Sequence, residues 1–253
     1  MKFHNFSFVF LALLATSAHA FDLGDLKEKL NNLEKAPAQN AAANPSALAS
    51  VSNKDQVSGL KQALTQGAET AVANLSKENG FLGNDKVRIP LPDSLQKAGD
   101  LMHTLGMGKY SDELVTSMNR AAEAAVPEAK TLLVSAVKNM SVSDAKGILM
   151  GGNDAATQYF RKNTETALSV KFKPIVDHSM QKVKLAEKYD EFAGRGAQLG
   201  LVDQKDAHLD DYITRKAMDG LFLMMAEQEK AIREHPMQAV GSLAQKVFSA
   251  IKF

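Results

Sequence analysis

Cysteine is absent from this chain of 253 residues. Its absence excludes disulfides, thiolate metal sites and thiol nucleophiles, and leaves no residue to carry a lipid behind a signal sequence. A clear excess of one charge is also missing, with 30 Lys and Arg against 29 Asp and Glu. The chain therefore lacks the basic footprint of a nucleic-acid binder and gains little long-range steering from its net charge. Metal-binding histidine patterns are missing as well. His103, His178, His208 and His235 are scattered, without a His-x-x-x-His or Glu-x-x-His arrangement. Neither a metal nor a cofactor is expected. No Gly-x-Ser-x-Gly elbow prepares a nucleophilic serine. No segment sustains polar–apolar alternation, which argues against a substantial sheet, and against a membrane barrel in spite of the terminal Phe253.

What is present begins with Met1-Lys2, an apolar run from Phe6 to Ala15, and Ala18-His19-Ala20. A basic start, a short apolar core and an Ala-x-Ala end predict a signal peptide over residues 1–20, cleaved after Ala20, and a periplasmic location. No later apolar run reaches membrane-spanning length, so a soluble mature chain without a transmembrane span is expected. Residues 21–36 place Leu23, Leu26, Leu30 and Leu33 in a three-four pattern. Two heptads read either as a loose helix or as a self-association or partner-binding segment. Residues 37–53, rich in Ala, Asn, Ser and Pro, read as a linker ahead of a main domain over 54–253.

The apolar fraction of 45% suffices for a core. The 3.6-residue period predicts one all-α bundle of roughly eight or nine helices. Val57 to Leu75 form the first, followed by a turn-rich loop over 79–93 that Pro90 and Pro92 push toward extended backbone, with room for a short edge strand. Further helices are expected over Leu95–Leu105, from a Ser111 cap to Ala125, over Ala129–Met140, from Ser143-Asp144 to Leu149, and from an Asn153 cap to Phe172. Pro174 should open a new helix, and Gly194, Gly196 and Gly200 should mark a loop. Asp210 is the expected cap of the longest helix, reaching Glu234, before a last one around Val240–Ile251.

Candidate functional residues are few. Asn119, Arg120 and Glu123 share one helix and form either a local helix–helix polar contact or part of a cleft. Tyr159 and Arg161 follow the Gly151-Gly152-Asn153-Asp154 turn, which reads as a cap in preference to an anion site because Asp154 already supplies negative charge there. Asp219 stands beside Gly220 in a helix that is apolar on nearly every side. A buried carboxylate paired with Arg120, Arg161, Arg88 or Arg215 is the expectation. Gly220 should be compensated by close approach of another backbone. Met118, Met218, Met224 and Met225 fit either plain core or an adaptable apolar surface.

Several stretches resemble a bacterial family, domain of unknown function 4197. They are Gly59-Leu60-Lys61-Gln62-Ala63-Leu64, Gly80-Phe81-Leu82-Gly83-Asn84, Val87-Arg88-Ile89-Pro90-Leu91-Pro92 and Met118-Asn119-Arg120-Ala121-Ala122-Glu123. Asp144 to Leu149, Asp154 to Arg161, Phe172 to Val176 and Ala217 to Phe222 continue the match in order, while Leu185 to Ala207 fits least well. The resemblance implies an exported helical protein with no assigned activity and no accepted catalytic residues. Three readings stay open. The leading one is a non-enzymatic periplasmic binding or interaction module that uses a helical groove for an unknown small molecule or envelope protein. The second is an enzyme of unknown reaction whose polar groups at Asn119, Arg120, Glu123, Tyr159, Arg161 and Asp219 converge. The third is a structural envelope protein that oligomerises through the Leu23–Leu33 segment. A pocket where those groups meet would favour the second, and a filled core with the groups apart the third.

Overall fold

Ser52 begins the helical domain by accepting a hydrogen bond from the Asp55 amide at 3.1 Å, which caps α1 (Asn53–Leu75). The computed structural model describes residues 48–199 and 209–251. The expected signal peptide, the Leu23–Leu33 segment, most of the expected linker, Gly200 and Phe253 lie outside the described residues. Among the described residues the structure is all-α, with nine α-helices and no strand. After α1 come α2 (Asp93–Thr104), α3 (Gly108–Ala125), α4 (Ala129–Asn139), α5 (Val142–Leu149), α6 (Ala155–Lys182), α7 (Leu185–Gln198), α8 (Leu209–Glu234) and α9 (Ser242–Ala250).

Helices α1, α3, α6 and α8 make the centre. The pair α6 and α8 pack along each other, with α1 against α8 and α3 against α6. The outer helices attach to this set: α4 and α9 on α1, α2 and α7 on α3. Each inner helix turns a stripe inward, such as Leu60, Ala63, Leu64, Ala71 and Leu75 of α1. The rings of Phe81, Phe160, Phe172, Phe192, Phe222 and Phe248 are fully enclosed between the stripes. Two glycines set close contacts. A Cβ on Gly59 would stand 2.7 Å from the Leu243 carbonyl oxygen of α9, so α1 and α9 approach backbone to backbone there. A Cβ on Gly220 would meet the Phe81 ring at 2.8 Å and Val87 Cβ at 3.2 Å. The expected compensation at Gly220 is real, but loop side chains supply it in place of a backbone.

Several expected boundaries move. Leu48 and Val51, in the stretch read as linker, are buried, and their carbonyls accept hydrogen bonds from the buried Gln56 amide at 2.9 and 2.8 Å. Packing therefore begins ahead of the expected start at 54. Ser111 lies inside α3, its hydroxyl donating to Gly108 O at 2.8 Å. Ser141, not Ser143, caps α5, in a reciprocal box with Asp144. Gly194 and Gly196 are helical within α7, so that stretch is not a loop.

Pro174 opens no helix. It sits within the 28-residue α6, which is longer than α8 with its 26. The ring removes the donor for the Val170 carbonyl, and Val170 is 72% exposed, so the freed oxygen faces a side where solvent can satisfy it. Beside it, Lys173 pairs with Asp210 at 3.0 Å and Asp211 at 2.6 Å, tying the middle of α6 to the first turn of α8. These two carboxylates push the Lys173 ammonium well above its ordinary range.

Candidate functional site

The loop between α1 and α2 has to fold without a sheet. Its residues 87–91 alternate in exposure: Val87, Ile89 and Leu91 are buried, while Arg88 and Pro90 are exposed. Extended backbone needs partners for its peptide groups. Asn119 of α3, wholly buried, supplies them. Its Oδ1 accepts from the Ile89 amide at 2.9 Å, and its Nδ2 donates to Ile89 O at 2.8 Å and to Val115 O at 2.8 Å. One turn on, Glu123 Oε1 accepts from the amides of Phe81 at 3.1 Å and Leu82 at 3.2 Å. Its other oxygen pairs with Arg120, which also reaches Glu78 Oε1 at 3.2 Å and Asn79 Oδ1 at 2.9 Å. Asn79 holds a left-handed φ of 66° that this contact supports. Asn119, Arg120 and Glu123 thus form one device, and it clamps the loop.

Arg161 and Asp219 form a second set. They pair at 2.9 Å between α6 and α8, and Arg161 also reaches Glu165 at 3.1 Å and lies 4.7 Å over the Phe222 ring. The expected Arg partner is present, but the expected burial is not. The Asp219 side chain is 47% exposed and that of Arg161 39%. The apolar surround misleads because Leu223 of the same helix also faces outward.

Tyr159 belongs to a third set. Its hydroxyl donates to Asp144 Oδ2 at 3.2 Å, and Asp144 also accepts from the Ser141 hydroxyl at 2.6 Å and amide at 3.1 Å. The Ser141 hydrogen bonds hold the Asp144 carboxyl below its usual range. Burial, then the Asp144 charge, raises the Tyr159 phenol. Among the described residues no hydrogen bond or ion pair joins the three sets.

The most deeply buried ion pair among the described residues joins Glu229 and Arg233, which were not among the residues expected from the sequence. Their side chains are each 4% exposed and pair at 2.9 Å. Glu229 also accepts from the Ala156 amide at 2.9 Å, the Thr157 amide at 3.0 Å and the Thr157 hydroxyl at 3.0 Å, closing the N-terminus of α6. Asn153 therefore does not cap this helix. Asp154 stands at the cap position, but its carboxylate accepts from Gln158 Nε2 at 2.8 Å and from no helix amide, and a distant carboxylate takes the capping role. Arg233 donates to Ile148 O at 2.8 Å and Gly151 O at 3.5 Å beyond α5. One sequence signal was available: a Glu and an Arg four apart, on the same stripe as Met225 and Ile232.

Among the described residues no group of three His, Asp or Glu side chains is placed to hold a metal. Glu229 also borders a small cavity of about 20 Å³ lined by Ala63, Leu64, Phe160, Met225 and Phe248, which is water-sized. Open grooves are larger. One of about 630 Å³ runs along α1 past Gln62, Gln66 and Val240. Another of about 350 Å³ lies between the loop, α2 and α3.

Residues 50–249 match the family model described as "Protein of unknown function (DUF4197)". The chain belongs to this family. The match runs from just ahead of α1 to the next-to-last residue of α9, so the DUF4197 region and the helical bundle nearly coincide. No curated protein and no solved structure matches the chain. Among the described residues of this DUF4197 protein no helix is long and apolar enough to cross a membrane.

Proposed function

We propose that this DUF4197 protein is exported to the periplasm, loses its signal after Ala20, and acts there as a non-enzymatic binding module working through an open groove between helices. The observation that carries the reading is the division of the six nominated polar residues into three separate sets, each engaged with its own neighbours in the fold. A catalytic centre needs its acid, base and stabilising groups within reach of one reacting atom. The filled core supports an open-groove site over an internal one, because a small-molecule pocket needs about 300 Å³ or more and the cavity beside Glu229 offers about 20 Å³.

The filled core and the separated groups also favour a structural reading, in which copies associate through Leu23, Leu26, Leu30 and Leu33. Native mass spectrometry of the mature protein from its own periplasm tests both. A monomer with a bound partner or polar small molecule supports the binding module. A homo-oligomer that dissociates when Leu26 and Leu30 become Ser supports the structural reading. Mature protein that retains Met1 refutes export with cleavage.

A further inference from the structure

We propose that the groove between the 87–91 segment, α2 and α3 binds a small zwitterion, an amino acid or short peptide, with its carboxylate on Arg88 and its ammonium on Asp100. The proposal deepens the binding-module reading and rests on it. Its first observation is charge. Arg88 and Asp100 both line this groove of about 350 Å³, and among the described residues neither side chain has an ion-pair or hydrogen-bond partner. A guanidinium and a carboxylate share one groove without pairing to each other. A ligand carrying both complementary groups satisfies the two together, and a simple anion or cation satisfies only one.

The second observation is preorganisation. Asn119 grips both peptide groups of Ile89, and the alternation of the extended segment then turns Arg88 outward while Ile89 is buried. Arg88 is thus offered from held backbone, unlike a cation on a free loop. On the opposite wall, His103 Nε2 lies 3.2 Å from Asp112, and the imidazole rests so close over Gly108 that a Cβ there would stand 2.3 Å from Nδ1. Gly99 brings α2 against Leu91 in the same way, at 2.7 Å. Leu91 and Val115 give the groove an apolar patch that suits a short aliphatic body. The volume lies at the lower end of small-molecule sites.

The test is isothermal titration of the mature protein with L-alanine, L-alanyl-L-alanine, N-acetyl-L-alanine and L-alaninamide. Saturable one-to-one binding is expected for at least one of the two zwitterions, and the stronger of them tells free amino acid from peptide. The acetylated acid and the amide, each lacking one charge, should bind at least about tenfold more weakly. Arg88→Gln should remove the preference for a carboxylate and Asp100→Asn the preference for an ammonium. Both sites are exposed, and an unchanged melting curve confirms that each variant folds. Absence of saturable binding by both zwitterions into the millimolar range overturns the proposal, as does unchanged affinity in Arg88→Gln. If native mass spectrometry finds the same partner on wild type and Arg88→Gln, the groove assignment falls while the binding-module reading stands.

Discussion

Glu229 and Arg233, one turn apart on α8, each close the end of a different helix: the carboxylate holds the first amides of α6, and the guanidinium holds the last carbonyls around α5. Both are buried, so either one alone is an uncompensated charge. Arg233→Met and Glu229→Gln should each lower stability by about 3–5 kcal/mol. The double variant should lose clearly less than the two losses added together. Urea unfolding of the four proteins checks this, and strict additivity would show that the two side chains act independently.

Asn119 serves the backbone of Ile89 through both ends of its amide. Asn119→Leu keeps approximate volume but leaves a buried N–H and C=O without partners, at about 1–3 kcal/mol for each unsatisfied group. Hydrogen exchange reads the effect locally: the Ile89 amide should lose protection before the interior of α3 does. Equal protection in the variant would mean that another group holds the segment.

Asp219 now carries a small expectation. An exposed pair is worth about 0–1 kcal/mol, and this side chain is 47% exposed. Asp219→Ala should melt close to the parent. A loss of several kcal/mol would restore the view of Asp219 as a buried anchor.

Two helical glycines separate intrinsic propensity from packing. Gly67→Ala places a Cβ 3.6 Å from Gln228 Cβ, an ordinary contact. It should gain up to about 1 kcal/mol from helix propensity. Gly220→Ala has the same propensity gain but drives its Cβ into Phe81 and Val87, and should cost about 1–3 kcal/mol overall. Thermal melts that move in the same direction for both would refute the contrast.

Helix existence was legible in the sequence because the apolar stripes repeat with the helical period, as in Leu60, Leu64 and Ala68 of α1. Ends were less so. Pro174 is tolerated in α6 because its orphaned carbonyl lies on an exposed side, a fact that belongs to tertiary structure. Gly194 and Gly196 stay helical although local propensity marks them as breakers. Among the site residues, Asn119, Arg120 and Glu123 were recognisable as a polar group on one helix. Their partners at Asn79, Phe81 and Ile89 lie 30 to 42 positions away, and no helical period relates residues across a loop. Glu229 was hidden for the same reason, since Ala156 is 73 positions earlier.

The backbone contact between Gly59 and Leu243 joins the first helix of the bundle to the last. During synthesis from the N-terminus, the side of α1 that carries Gly59 stays uncovered until α9 has left the ribosome. Contacts between such distant positions also slow folding, because a long stretch of chain must be closed before they form. For a protein exported as proposed above, that delay works in favour of transport: the chain reaches the translocation machinery before it has the means to complete its core.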